Sequence, residues 1–319
     1  MGEELIEVKN LKKHFSSGIF RKSYVKAVDG VSFEIGKGET FALVGESGCG
    51  KSTVGRCLLH LIEPTSGEVY FKGIGIAGLK GNLRGLRRKM QIMFQDADGS
   101  LNPRMRVFEL LVEPLRVHGL LNGRGMAEAL RLLELVNLTP DLLGRYPHEL
   151  SGGQRQRIGV ARAMTLNPEF VVADEPAASL DLSVQAQILD LMKRLQEEFG
   201  VGYLFISHSL NIVRLMADRV AVMYLGKFVE VGDTRKIFNR AAHPYTQALL
   251  SAVPTTNPSA RQKRIVLEGE IPSPLNPPSG CRFHPRCLYA QNLCEMEEPR
   301  LGEAESNHFV ACHLINDGK

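Results

Sequence analysis

The chain has 319 residues, 44% of them hydrophobic and 23% charged, with a formal net charge of +4 and six cysteines. This length suits a main domain of about 200 to 250 residues with an appendage, and no apolar run approaches the roughly 18 to 20 residues of a membrane-spanning helix. So small a positive charge gives no reason to expect a nucleic-acid partner; the local basic run Arg84, Arg87, Arg88 and Lys89 interleaves with Leu83, Leu86 and Met90 and reads as a solvated helix face. Residues Met1 to Glu7 lack the basic start and apolar stretch of a secretory signal, so a cytoplasmic chain is expected, with any membrane span supplied by another protein.

In chain order, Ile6 and Val8, then Val31, Phe33 and Ile35, alternate with polar residues and predict a small antiparallel sheet with turns at Gly30 and Gly36 to Gly38. Phe41 to Val44 predicts a short buried strand that runs into Gly45-Glu-Ser-Gly-Cys-Gly-Lys-Ser-Thr53. A helix is expected from Ser52 to Ile62, ended by Pro64 to Gly67. Met90 to Phe94 reads as a strand. From about 97 to 165 the pattern is helical (Val107 to Val117, Met126 to Val136), broken at Asn102-Pro103, Asn122-Gly123 and Thr139-Pro140. Buried strands at Phe170 to Ala173 and Tyr203 to Ile206 flank a helix from about Ser183 to Phe199, a parallel βαβ pattern. From Pro254 through Pro285 there are seven prolines and periodicity fades; such a tail needs a staple.

The segment Gly45 to Ser52 is a Gly-x4-Gly-Lys-Ser loop between strand and helix, where backbone N–H groups and the helix dipole converge on phosphate. Lys51 would reach the β- and γ-phosphates and Ser52 would ligate magnesium. Asp174 and Glu175 sit at the carboxyl end of a buried strand, where α/β sheets present ligands; Asp174 is placed to hold magnesium and Glu175 to take a proton from the attacking water. Alone, such an acidic pair is more often solvated than catalytic, but behind a phosphate loop the balance reverses. Gln95, at a strand end, is a candidate to touch magnesium or the lytic water, and His208 a candidate for the γ-phosphate. Cys281-x5-Cys287-x6-Cys294-x17-Cys312 supplies four thiolates, enough for a 4Fe-4S cluster or structural zinc, although the common zinc spacing is Cys-x2-Cys. His284, His308 and His313 lie near enough in sequence to substitute as ligands.

Together the phosphate loop, Gln95, Leu150-Ser-Gly-Gly-Gln154, Phe170 to Glu175, Ala178-Ser-Leu-Asp181 and His208 resemble the ATP-binding cassette (ABC) ATPases over roughly residues 5 to 245. The resemblance implies an α/β P-loop ATPase: a RecA-like core over 1–96 and 155–245 with an N-terminal antiparallel β subdomain, a helical signature subdomain over 97–154, and a small loop-rich C-terminal Cys-cluster domain over 246–319. ATP would lie on Ser47, Gly48, Cys49, Gly50, Lys51, Ser52 and Thr53, with magnesium near Ser52, Gln95 and Asp174. Phe15 best matches the aromatic that stacks on adenine, with Tyr24 as rival because Ser16 to Ser23 looks inserted. Ser151, Gly152, Gly153 and Gln154 would face the γ-phosphate held by an opposite subunit, with Asp181 at the seam, so hydrolysis would require a dimer.

His243-Pro-Tyr-Thr-Gln-Ala-Leu-Leu250, Gly269 to Pro274 and Gly280 to Cys287 are similar to the C-terminal extension of the dipeptide/oligopeptide permease ATPases. Gly99-Ser-Leu-Asn-Pro-Arg104 points to the F-type of their two paired ATPases. That resemblance implies a 4Fe-4S cluster on Cys281, Cys287, Cys294 and Cys312, with zinc as the alternative. It also implies a second ABC ATPase subunit (a paralogue or an identical copy), two transmembrane permease subunits and, indirectly, an extracytoplasmic solute-binding protein. The chain would then work at the cytoplasmic face of the membrane, powering import of dipeptides or oligopeptides. Oligosaccharides or nickel complexes are alternative cargo, and a soluble non-transport ABC ATPase is the rival class; its usual coiled coil or second cassette is missing from this sequence.

Overall fold

The computed structural model describes residues 4–17, 23–78, 83–95, 97–178, 180–253 and 264–316. Parts of four expectations lie outside them: the start of the chain, the inserted stretch after Ser16, Ser179, and residues 254–263 of the proline-rich tail. The described residues form two compact units, the first drawn from Met1–Leu5, Ile35–Glu39 and Gly75–Leu204, the second from Ile6–Glu34, Thr40–Ile74 and Phe205–Lys319.

In the first unit, strand Phe170–Asp174 lies between Met90–Met93 and Gly202–Ile206. It runs parallel to Met90–Met93, in register from Met90 opposite Phe170 to Met93 opposite Ala173. All five residues of Phe170–Asp174 are buried, as a strand covered on both faces requires, and this explains its unbroken apolar run. Helix Leu182–Phe199 links it to Gly202–Ile206, burying Ile188, Leu189, Leu191, Met192 and Leu195. The helix stops at Gly200, whose left-handed backbone (φ 66°) is open to glycine at little cost and whose N–H closes on the Gln196 carbonyl at 2.8 Å. The helical stretch is as expected: Val107–Val117, Gly125–Leu135 and Gly152–Met164 pack on one another through Leu110, Leu111, Leu132, Leu133 and Ile158, all buried.

The second unit holds most of an antiparallel sheet in the order Ser23–Gly36, Glu4–Ser17, Ser66–Phe71, Ile74–Gly75. It also holds strand Thr40–Val44, which is parallel to Arg219–Tyr224. Gly30 is a correction: it ends no strand but lies inside Ser23–Gly36 with φ 88°, a left-handed residue in mid-strand while the neighbouring Asp29 N–H donates to the Gly226 carbonyl. The helix after the phosphate loop is also shorter than expected, Lys51–Leu58. His60 adopts φ 50°, and the N–H groups of Leu61 and Ile62 both turn back to the Arg56 carbonyl, ending the helix before Pro64.

The tail is less loop-like than its sequence suggests. Strand His308–Val310 pairs antiparallel with Lys227–Asp233, and Gly302–Glu305 pairs outside it. Three side-chain contacts add to this staple. Glu230, fully buried, accepts from His308 Nε2 at 2.7 Å and from the His243 N–H at 3.1 Å. Arg282 pairs with Asp29, which also meets His14 Nε2 at 2.9 Å. Burial alone would raise the Asp29 pKa, but His14 and Arg282 together bring it below the usual carboxylate range. Finally, Tyr224, Tyr245 and Phe283 form an edge-packed aromatic cluster with centroids 4.7 to 5.4 Å apart. Among the described residues no helix is long and apolar enough to cross a membrane.

Candidate functional site

In the second unit the phosphate loop follows strand Thr40–Val44 and opens helix Lys51–Leu58. Its glycines are demanded by the fold. A Cβ on Gly45 would lie 2.2 Å from the Met223 carbonyl oxygen and one on Gly50 would lie 2.0 Å from that of Ala27; Gly50 also has φ 110°. The loop is therefore wedged between two backbones at both ends. Lys51 is buried, and its ammonium donates to the carbonyls of Gly45 at 2.8 Å and Glu46 at 3.0 Å, 3.6 Å from Cys49 Sγ. Burial pushes the Cys49 thiol pKa up, so this cysteine is a packing residue rather than a nucleophile. Ser47, Gly48, Ser52 and Thr53 complete the loop; Gly48 has φ 78° and open space where a Cβ would stand. His208 is exposed just beyond strand Gly202–Ile206. Phe15 and Tyr24 are both exposed aromatics, and the Lys13 ammonium lies 5.0 Å from the Phe15 ring centre.

In the first unit the structure brings together two of the expected catalytic residues. Gln95 Nε2 donates to Glu175 Oε2 at 2.9 Å, which orients the carboxylate. Glu175 has φ 49°, a left-handed conformation that a non-glycine residue holds at a cost of about 1 to 2 kcal/mol and that often marks an active site. The preceding Asp174 is buried. Gly152–Met164 is capped at its start: the Gln154 N–H donates to Ser151 Oγ at 3.2 Å, and the Ser151 N–H donates to Gln154 Oε1 at 2.9 Å. This box satisfies terminal N–H groups and fixes the direction of a helix with no acidic residue in its first turn, the polarity an anion requires. Gly153 has no room for more: its Cβ would lie 2.7 Å from Val184 Cγ1.

Asp181 has a local duty that the sequence reading missed. It caps helix Leu182–Phe199, accepting from the Ser183 hydroxyl at 2.7 Å and the N–H groups of Ser183 and Val184 at 3.1 and 3.0 Å. Those bonds, that of the Ser183 side chain foremost, lower its pKa. The Asp-x-Ser spacing was the available signal.

None of the six cysteines is in a disulfide. Cys281 lies within electrostatic range of Cys294, Cys312 and Cys287, so the chain gathers residues up to 31 positions apart. The Cys281 N–H donates to the Cys294 carbonyl at 2.8 Å, and Gly280, at φ 60°, approaches Cys294 more closely than any side chain would allow. Burial, more than the neighbouring sulfurs, pushes the Cys281 thiol up to about 11. The three histidines considered as substitutes each have a ring nitrogen engaged elsewhere: His284 with the Cys281 carbonyl, His308 with Glu230 and His313 with the Glu297 carbonyl.

Comparison with known proteins agrees with this layout. Residues 28–178 match the family model described as ABC transporter, and residues 229–294 match that described as Oligopeptide/dipeptide transporter, C-terminal region. The chain is 51% identical to the oligopeptide transport ATP-binding protein AppF of Bacillus subtilis over 98% of both chains. It is 48% identical to the dipeptide transport ATP-binding protein DppF of Haemophilus influenzae, over 98% of this chain and 97% of that one. Among solved structures, the ATP-binding cassette MJ0796, a dimer bound to ADP and Pi, aligns with TM-score 0.65 at 30% identity, covering 72% of this chain and 99% of that one. The protein cbiO1 of Clostridium perfringens, part of the ABC transporter complex cbiONQ, aligns with TM-score 0.66 at 27% identity over 75% of this chain and 92% of its own. The chain belongs to the ABC transporter ATP-binding proteins, in the group that carries the oligopeptide/dipeptide transporter C-terminal region.

Proposed function

We propose that this chain is the ATP-binding and ATP-hydrolysing subunit that powers import of dipeptides or oligopeptides through a membrane ABC transporter. The observation that carries the catalytic half of this reading is the Gln95–Glu175 hydrogen bond at 2.9 Å. It orients a half-buried carboxylate at the end of a buried strand. In the proposed cycle the loop from Gly45 to Thr53 grips the triphosphate, with Lys51 on the β- and γ-phosphates and Ser52 and Asp174 around magnesium. Glu175 accepts the proton of the attacking water, with Gln95 orienting that carboxylate and His208 serving the γ-phosphate. The capped N-terminus at Ser151 to Gln154 serves the nucleotide of a second ABC subunit, either a paralogue or an identical copy, and Phe15 or Tyr24 covers adenine. Two permease subunits convert closure and opening into transport at the cytoplasmic face of the membrane, fed by an extracytoplasmic binding protein. Support for transport over a soluble ABC role comes from the match of residues 229–294 to a transporter-specific region.

We read the four cysteines as ligands of an iron-sulfur cluster, with a structural zinc ion as the alternative. A cubane places each thiolate on its own iron. Bound there, it would supply a structural cross-link and stabilise thiolates that burial otherwise disfavours.

Glu175→Gln is the direct test. ATP binding should persist while turnover in the assembled transporter falls by about 100-fold or more, and ATP-driven uptake of a labelled tripeptide should stop. Near-normal hydrolysis would remove Glu175 as the base; uptake of an oligosaccharide or a nickel complex in place of peptide would replace the cargo and leave the ATPase reading intact.

A further inference from the structure

Glu46, the second residue of the phosphate loop, is held by side chains that arrive about 200 residues later. Its backbone N–H donates to Tyr245 Oη at 2.9 Å. Its carboxylate receives Arg286 through both terminal nitrogens, Nη1 to Oε2 at 2.9 Å and Nη2 to Oε1 at 3.2 Å. Such a fork fixes rotation as well as distance, which a lysine could not do. Arg286 is only 8% exposed, and its Nη1 also meets Tyr224 Oη at 3.4 Å. The Nε–H of Arg286 is buried without a hydrogen-bond partner, so the guanidinium is turned wholly toward Glu46 and Tyr224. The ring of Tyr245 is fully buried against Tyr224 and Phe283, which leaves its hydroxyl little freedom to leave the loop.

The third polar group of Glu46 is its carbonyl, and this is one of the two that receive the Lys51 ammonium. Extension, Glu46 and phosphate-binding lysine are thus one continuous hydrogen-bonded path within the second unit. Arg286 is next to Cys287 and five residues after Cys281, so the segment that carries two of the thiols also carries the clamp.

The geometry points to Arg286 and Tyr245 as positioning residues for ATP: the C-terminal extension holds the phosphate loop, through Glu46, in the shape that receives nucleotide. This rests on the reading of Gly45 to Thr53 as the nucleotide loop. Neither residue touches the reacting atoms, so the effect belongs in nucleotide affinity and not in the chemical step.

The experiment measures the dissociation constant of a fluorescent ATP analogue and the KM and kcat of ATP hydrolysis in the full-length protein assembled with its permease. Arg286→Ala should raise the dissociation constant and KM on the order of tenfold, the scale of one lost charge-assisted contact, with kcat at saturating ATP within about twofold. Tyr245→Phe, which keeps the ring, should give a smaller shift in the same direction. Arg286→Ala made in a Glu46→Ala background should add nothing further, since both act through one contact. Unchanged affinity in Tyr245→Phe and Arg286→Ala, a loss confined to kcat, or additive effects in the double variant would each overturn the proposal. Lys51→Ala serves as the control: if it binds the analogue as tightly as the parent, the reading of the loop itself fails, whereas its loss of binding beside an unaffected Arg286→Ala sinks only the clamp.

Discussion

At the scale of single residues, the loop shows how two kinds of glycine can be told apart. Gly50 combines φ 110° with a site where a Cβ would lie 2.0 Å from a backbone oxygen, so Gly50→Ala cannot be absorbed by a side-chain movement. The loop itself must shift, and ATP-analogue binding should weaken by about tenfold or more. Gly38 has φ 69° but nothing within 4 Å of its Cβ position. Gly38→Ala should therefore lower stability by only about 1 kcal/mol and leave binding alone. Equilibrium titration and denaturant melts of the two variants check both halves; parental affinity in Gly50→Ala would show that the loop does not need its close approach to Ala27. Both glycines are visible in the sequence, yet only what faces each one decides its consequence: open space at Gly38, and at Gly50 the carbonyl of Ala27 from a separate segment. Glu46 was illegible for the same reason. An acid inside a glycine loop has no periodicity, and its partner Arg286 is 240 residues away. Glu175 and Gln95 could be read because their position at the ends of buried strands is a local property.

Helix Pro244–Ser251 makes a pH prediction at the scale of an element. His243 is its N-cap, accepting the Tyr245 N–H on Nδ1 at 3.1 Å, which requires the neutral ring. Burial lowers the His243 pKa from 6.5 to about 4, opposed by the charge of Glu230. Above pH 6.5 the ring is neutral in folded and unfolded chains and the cap is fully effective. As pH falls from 6.5 towards 4 the unfolded chain takes up a proton that the folded chain refuses, so stability is lost across that window, by about 3 kcal/mol. His243→Asn keeps a capping acceptor but does not titrate. Urea unfolding of both proteins from pH 7 to 4 should show a steeper loss in the parent; equal slopes would mean that the ring is not held neutral. Element legibility followed the same rule as the residues. Continuous apolar runs such as Phe170 to Ala173 announce strands buried on both faces, and Val107 to Val117 announces a helix by its period. The helix after the loop was read too long because Leu61 and Ile62 continue that period, while the backbone had already reversed at His60. A three-residue strand, His308–Val310, is shorter than any pattern that could reveal it, and only its pairing with Lys227–Asp233 exposes it.

At the scale of the whole molecule the phosphate loop and the Ser151 cap belong to one chain but, in the proposed cycle, to two different nucleotides. Each site would then be composite, and the two halves can be inactivated separately. Gly153→Asp crowds Val184, 2.7 Å from the Cβ position, and places a carboxylate at a helix N-terminus meant for phosphate. It should leave ATP binding to its own loop intact while abolishing turnover. Lys51→Ala should do the reverse, losing binding while keeping a sound cap. Neither variant alone has a complete site if two copies of this chain pair with each other. A mixed pair does have one: the loop of the Gly153→Asp chain against the cap of the Lys51→Ala chain. Random pairing in an equal mixture makes half the dimers mixed, each with one of two sites working, so about a quarter of the parental turnover should return. Recovery near that level, measured as phosphate release on mixing two inactive proteins, is the expected result. A mixture as inactive as its components would exclude pairing between identical copies. Gly153→Asp in the complete transporter would then have to silence only the site on the other ATPase, leaving this chain's own loop to turn over.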